Sequence, residues 1–91
     1  MSFYVYILYS ESLGGYYIGQ TSDINSRLER HNRGYERYTS RGIPWKLVWN
    51  TKKSIRSEAQ NLEKKLKNLS RERLQAFIRK YTDEVASPDE S

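Results

Sequence analysis

The sequence contains no cysteine and a single histidine, His31. Without thiols there is neither a disulfide framework nor a thiolate metal centre, and one imidazole cannot build a histidine-rich zinc site. No stretch is long and apolar enough to span a bilayer, and the first residues lack a basic segment followed by an apolar one. Neither membrane insertion nor export is expected, which leaves a cytoplasmic protein as the default. With 91 residues the chain has room for one domain around a thin core. Acidic residues are also scarce where basic ones are dense. All 16 Lys and Arg fall between Arg27 and Lys80, against five acids in that span, a local formal charge of +11.

A basic body in which 13% of residues are aromatic points to a polyanionic partner, and nucleic acid is the plainest one. A solvated lysine-rich surface is the alternative. Tyrosine is concentrated near the start, where five of the eight lie in YVYILYSESLGGYYIG (4–19). Aromatic side chains suit a pleated, half-buried surface, which accounts for most of them as sheet packing.

Hydrophobic period and turn chemistry predict six elements. FYVYILY (3–9) and GGYYIGQ (14–20) read as an antiparallel hairpin. Ser22 or Asp23 caps a helix carrying Ile24, Arg27, Leu28 and His31, which stops at Gly34. GYERYTSRGIP (34–44) reads as an exposed loop. WKLVWNT (45–51) alternates Trp45, Leu47 and Trp49 against Lys46, Val48 and Asn50, as a third strand would. Ser54 is expected to cap a second helix whose apolar stripe is Ile55, Ala59, Leu62, Leu66 and Leu69. Ser70 caps a third helix with Leu74, Phe77, Ile78 and Tyr81. The expected fold is α/β of the α+β type: a small three-stranded antiparallel sheet flanked by helices, in the order β-β-α-β-α-α. The domain is expected over 1–81, with 82–91 as an acidic disordered tail.

This order gathers particular side chains. Tyr4, Tyr6 and Leu8 share one face of the first strand, and Tyr17 and Gly19 share one face of the second. Tyr6 and Tyr17 can then face each other across the hairpin, and Gly19 leaves room for close approach to the backbone. Arg27 and His31 are one turn apart on the first helix. Glu63 adjoins Leu62 at the edge of the apolar stripe of the second.

Taken in order, these residues resemble a known pattern. Tyr6 in YVYIL, Tyr17 and Gly19 in YYIGQT, Arg27 and His31 in DINSRLERHN, and Glu63 in SEAQNLEKKLK match the motifs of the GIY-YIG nuclease superfamily, above all its small stand-alone members. RYTSRGIPWKLVW is similar to their loop and third strand. The likeness covers roughly residues 3 to 75; Tyr4 stands where the first motif has glycine.

The resemblance implies a GIY-YIG nuclease-like fold and metal-assisted phosphodiester hydrolysis, with DNA ahead of RNA as substrate and repair or recombination as a setting. Glu63 would anchor Mg²⁺ or Mn²⁺, since a magnesium ion keeps most of its waters and needs few protein ligands. Arg27 would stabilise charge on phosphate oxygens with its forked donors. Either Tyr6 or Tyr17 would take a proton from the attacking water; Tyr6 is favoured as base, with Tyr17 positioning. A free phenol titrates near ~10, so that role calls for a cationic neighbour such as Arg27, His31 or the metal. The catalytic set is therefore Tyr6, Tyr17, Arg27, His31 and Glu63.

Each member has a plainer reading by itself. Arg27 could be a surface arginine, His31 a helix-end residue interacting with the dipole, and Glu63 one half of an i,i+4 pair with Lys67. Tyr35, Arg37, Tyr38, Arg41 and Trp45 interleave aromatic and basic groups in the loop, suiting either base stacking with phosphate contact or packing on the sheet edge. Lys64, Lys65, Lys67, Arg71 and Arg73 form a basic helical run that attracts phosphate backbone without reading sequence. Two other functions use the same residues: a nucleic-acid-binding module with feeble or absent cleavage, and a nuclease subunit dependent on a protein partner for specificity.

Overall fold

The computed structural model describes residues 2–86. Three strands form one antiparallel sheet: β1 (Phe3–Ser10), β2 (Gly15–Thr21) and β3 (Trp45–Lys53), in the order β2-β1-β3. The hairpin between β1 and β2 closes through Gly14, whose backbone has φ +66° and whose N–H donates to the Ser10 carbonyl at 2.7 Å. Only glycine takes that conformation at little cost. Because β1 is central, Val5, Tyr6, Ile7 and Leu8 are all buried, two on each face.

The helices divide between the two faces. Helix α1 (Ile24–Asn32) and the following loop cover Tyr6 and Leu8, together with Trp45, Ile43 and Leu47. Helices α2 (Arg56–Lys67) and α3 (Arg71–Ala86) cover Val5, Ile7 and Ile18 with Ala59, Leu66 and Leu74. Tyr9 and Tyr16 are direct cross-strand partners with ring centroids 5.0 Å apart, the plain sheet packing expected for most tyrosines. The α+β fold class and the element order are those read from the sequence. No helix among the described residues is long and apolar enough to cross a membrane.

Several local expectations are corrected. The alternation of Trp45, Leu47 and Trp49 breaks because the β1–β3 register shifts between Ile7 and Leu8: Trp49 opposes Ile7, while Leu47 opposes Leu8. One extra residue reverses the sense of the pleat. Trp45 and Leu47 therefore pack on the Tyr6 face, whereas Val48 and Trp49 pack against the helices, Trp49 edge-on to Phe77 at 4.9 Å.

Ser54 does not cap α2. Strand β3 runs on to Lys53, the cap position falls on Ile55, and no side chain bonds to the helix start there. Ile55 is consequently outside the helical stripe and exposed. Elsewhere the caps are as expected. The Asp23 carboxylate, the second of the two candidates, accepts from the Ser26 N–H at 3.1 Å, and the Ser70 hydroxyl oxygen accepts from the Arg73 N–H at 3.2 Å. Helix α3 continues to Ala86 and so takes in the first part of the stretch expected to be a tail; 87–91 lie outside the described residues.

Candidate active site

The pairing of β1 with β2 sets Tyr6 directly opposite Gly19, with Tyr17 diagonal to it, ring centroids 6.3 Å apart. Tyr6 and Tyr17 thus share a face as expected, but they are not direct partners. A Cβ added to Gly19 would lie 2.7 Å from the Tyr6 hydroxyl oxygen, 2.9 Å from Tyr6 Cζ and 3.1 Å from Tyr17 Cε2. The room at Gly19, expected to admit an approaching group, is filled by the Tyr6 phenol itself.

His31, on the last turn of α1, is buried. Its Nε2 lies 3.1 Å from the Tyr6 hydroxyl and its Nδ1 2.8 Å from the Thr39 hydroxyl. Thr39 in turn donates to the Glu36 carbonyl at 3.3 Å. A hydroxyl has one proton to give, so Thr39 accepts from His31 Nδ1–H. That assignment leaves Nε2 with its lone pair, and the Tyr6 hydroxyl donates to it.

Burial pushes the His31 pKa below its usual value; Glu36 opposes this, while the Arg27 and Arg30 cations reinforce it. The imidazole is neutral near pH 7, which displaces the helix-dipole reading of a charged His31. Burial also pushes Tyr6 up to about 12; the Tyr17 phenol and the Glu63 carboxylate add to the rise, and the Arg27 guanidinium works against it. Tyr6 therefore keeps its proton at neutral pH and directs it at His31.

Arg27 is half-buried one turn before His31, and no acidic side chain pairs with it among the described residues. Glu63 approaches from the other side of the sheet. Gln20, next after Gly19, points to the α2 face and its Nε2 donates to Glu63 Oε1 at 2.9 Å. Lys67 Nζ holds Glu63 Oε2 at 2.9 Å, the ion pair anticipated from i,i+4 spacing. The Glu63 side chain is 18% exposed. Tyr6, Tyr17, Arg27 and His31 thus gather on the α1 face of the sheet, and Glu63 lies on the other face, joined to β2 through Gln20.

A scan against family models matches the GIY-YIG catalytic domain over residues 2–77. The chain belongs to the GIY-YIG family. It is 35% identical over 81 residues to a UPF0213 protein of Streptococcus pneumoniae, covering 88% of this chain and 81% of that one. A UPF0213 protein of Staphylococcus aureus is 34% identical over 79 residues, covering 86% and 95%. The solution NMR structure of a UPF0213 protein from Bacillus halodurans superposes with a TM-score of 0.59 at 32% identity, covering 87% and 84%.

As a GIY-YIG protein the chain carries the nuclease domain of that family, whose substrate is nucleic acid and whose members generally depend on a divalent metal. Among the described residues no three His, Cys, Asp or Glu side chains cluster. One half-buried carboxylate is nonetheless a fit for Mg²⁺, which accepts one or two protein carboxylates and completes its shell with water and phosphate.

Of the loop residues, Tyr38 reaches this set, its ring centroid 6.5 Å from that of Tyr17. Tyr35 is exposed and Tyr38 is 89% exposed, alongside exposed Arg37 and Arg41. Trp45 belongs elsewhere: it is buried, with its indole N–H donating to the Thr39 carbonyl at 2.7 Å, so the packing alternative holds for this residue. Lys64 and Lys67 flank Glu63, whereas Lys65 turns toward Phe77 and Lys80 on the α3 side. Sequence reasoning missed Gln20 and Thr39. Gln20 was within reach, since strict alternation after Gly19 sends it to the Glu63 face; Thr39 carries no short-range signal.

His31 gives the site a readable pH signature. The pKa of the folded state lies below the unfolded value of 6.5, so the unfolded chain binds more protons in the interval between them. Stability should be complete above pH 6.5 and decline as pH falls through that interval. With one histidine in the chain, its ring proton resonance is unambiguous. An NMR titration midpoint at or above 6.5 would contradict the buried, neutral imidazole.

Proposed function

We propose that the protein is a divalent-metal-dependent endonuclease that hydrolyses phosphodiester bonds in DNA, acting in the cytoplasm in repair or recombination. The observation that carries this reading is the directed chain from the Tyr6 hydroxyl through His31 to Thr39, set beside Arg27, which has no acidic partner among the described residues, and within electrostatic reach of Glu63. A phenol whose proton is already aimed at a neutral imidazole can accept another from water while passing its own to Nε2, without first ionising. That relay gives the proton a destination; burial, Arg27 and Arg30 work against the imidazolium it forms, and Glu36 works for it.

Arg27 then stabilises charge growing on the phosphoryl oxygens, where fixed donors need no reorganisation. Tyr17, between Tyr6 and the exposed Tyr38, positions the water or the phosphate. Glu63 would hold the Mg²⁺ or Mn²⁺, which when bound supplies neutralisation of the phosphate and help to the departing oxygen. Gln20 fixes Glu63 Oε1 and so orients the other oxygen outward. Tyr35, Arg37, Tyr38, Arg41, Lys64, Lys65 and Lys67 supply stacking and phosphate contact for the strand.

One observation favours a second reading, a nucleic-acid-binding module without effective cleavage: both Glu63 oxygens already have partners, as those of a structural carboxylate would. A single assay separates the two. Highly purified protein is offered supercoiled, single-stranded and branched DNA, with Mg²⁺, with Mn²⁺ and with chelator. Nicking that requires metal and vanishes with chelator is expected, together with binding that weakens steeply as salt rises. Binding without nicking on every substrate would leave the module.

A further inference from the structure

Lys67 stands between two grooves. On one side lies a shallow cavity of about 340 Å³ lined by Gln60, Glu63, Lys64 and Asn68. On the other lies a groove of about 470 Å³ along β2, lined by Tyr17, Tyr38, Arg71 and the floor residues Ile18 and Leu66. Lys67 lines both. In the structure its ammonium is committed to the first side, 2.9 Å from Glu63 Oε2, yet its side chain is 53% exposed. A lysine is a point charge on a stem with four rotatable bonds, and an i,i+4 pair of this kind is weak. Among the described residues, the partner of the ammonium is Glu63.

Glu63 Oε1 is fixed by Gln20, so Oε2 is the oxygen at which a cation is exchangeable. A divalent ion and an ammonium on one oxygen repel each other, so metal bound at Oε2 weakens the hold on Lys67 and Lys67 weakens the hold on metal. The groove beside Lys67 already presents Arg71 and three tyrosines, Tyr16, Tyr17 and Tyr38, a lining complementary to a nucleotide strand with its phosphates and bases.

We propose that Lys67 is an exchangeable cation: the counter-ion of Glu63 in the free protein, and a ligand of a strand phosphate in the β2 groove once a divalent ion takes its place. Lys67 thereby couples the two binding events. Metal at Glu63 frees a positive charge for the strand, and a strand that draws Lys67 away vacates Oε2 for metal; the coupling is reciprocal by linkage. It rests on the reading of Glu63 as the metal ligand and of the β2 edge as the seat of the strand.

The test uses the full chain and reads binding, not turnover. Mn²⁺ binding is followed by the electron paramagnetic resonance of the free ion, for the parent, Lys67→Gln, Lys67→Arg and Glu63→Gln. Without nucleic acid, Lys67→Gln should bind Mn²⁺ about fivefold or more tightly than the parent, at the low end of couplings between sites. Lys67→Arg, which keeps the charge, should stay near the parent. Fluorescence anisotropy with a phosphorothioate oligonucleotide should show Mn²⁺ strengthening binding to the parent more than to Lys67→Gln. Mn²⁺ affinity that depends on Glu63 but is unchanged or weaker in Lys67→Gln would overturn this inference alone. No Glu63-dependent Mn²⁺ binding in the parent would remove the metal-ligand reading, and this inference with it.

Discussion

Glu63→Gln should lower the rate of DNA cleavage by about a hundredfold or more, the scale on which losing a charge-stabilising element acts. The amide that replaces the carboxylate has nearly the same shape and can still accept from Gln20, but it carries no charge to hold a divalent ion. Metal-free binding of nucleic acid should hold or tighten, because one negative charge near a polyanion has gone. The fold should barely respond: the lost Lys67 contact is an i,i+4 pair worth about 0.2–0.5 kcal/mol. Cleavage kinetics, filter binding and thermal melting on the same preparations separate these outcomes. A variant that cleaves as fast as the parent would sink the mechanism.

Gly19→Ala should damage stability and cleavage together. The new methyl would lie 2.7 Å from the Tyr6 hydroxyl oxygen and 2.9 Å from Cζ. The ring cannot swing clear cheaply, since Tyr6 is buried and bonded to His31. Overpacking of this kind costs about 1–3 kcal/mol, and the displaced hydroxyl loses its aim at Nε2. Gly15→Ala is the matched control in the same strand, where an added Cβ meets nothing within 4 Å. Adding Tyr6→Phe to Gly19→Ala removes one of the two clashes, so part of the stability should return while cleavage stays lost. If Gly19→Ala melts and cleaves like Gly15→Ala, the contact with Tyr6 carries no weight.

The parts of the fold that were legible in the sequence rest on local rules. Alternation placed Tyr6, Tyr17 and Gly19 on one face, and helical spacing placed Arg27 beside His31 and Glu63 beside Lys67. Registers were not legible, because a hairpin shift of two residues keeps every face while changing every partner; hence Gly19, and not Tyr17, lies opposite Tyr6. The bulge that turns Trp49 toward the helices arises from pairing with β1, which no window on β3 reveals. The Ser54 cap was misplaced because the sheet carries β3 on to Lys53, shifting the helix start. Thr39 was invisible for a related reason: only the folded return of the loop brings its hydroxyl to His31 Nδ1.

Tyr6 occupies a strand buried on both faces, in the middle of a run that belongs to both hydrophobic clusters. Loops and edges of proteins open and close in fluctuations far smaller than global unfolding, but a central strand exposes its amides only when the whole domain comes apart. The phenol proposed to begin the reaction is thus seated where amide exchange should be slowest, while Tyr38, proposed to grip the strand, is 89% exposed on a loop. A local opening of that loop would carry Thr39 away with Tyr38, so it should loosen the hold on substrate and the Thr39 end of the relay together, while the Tyr6 phenol stays seated until the sheet itself gives way.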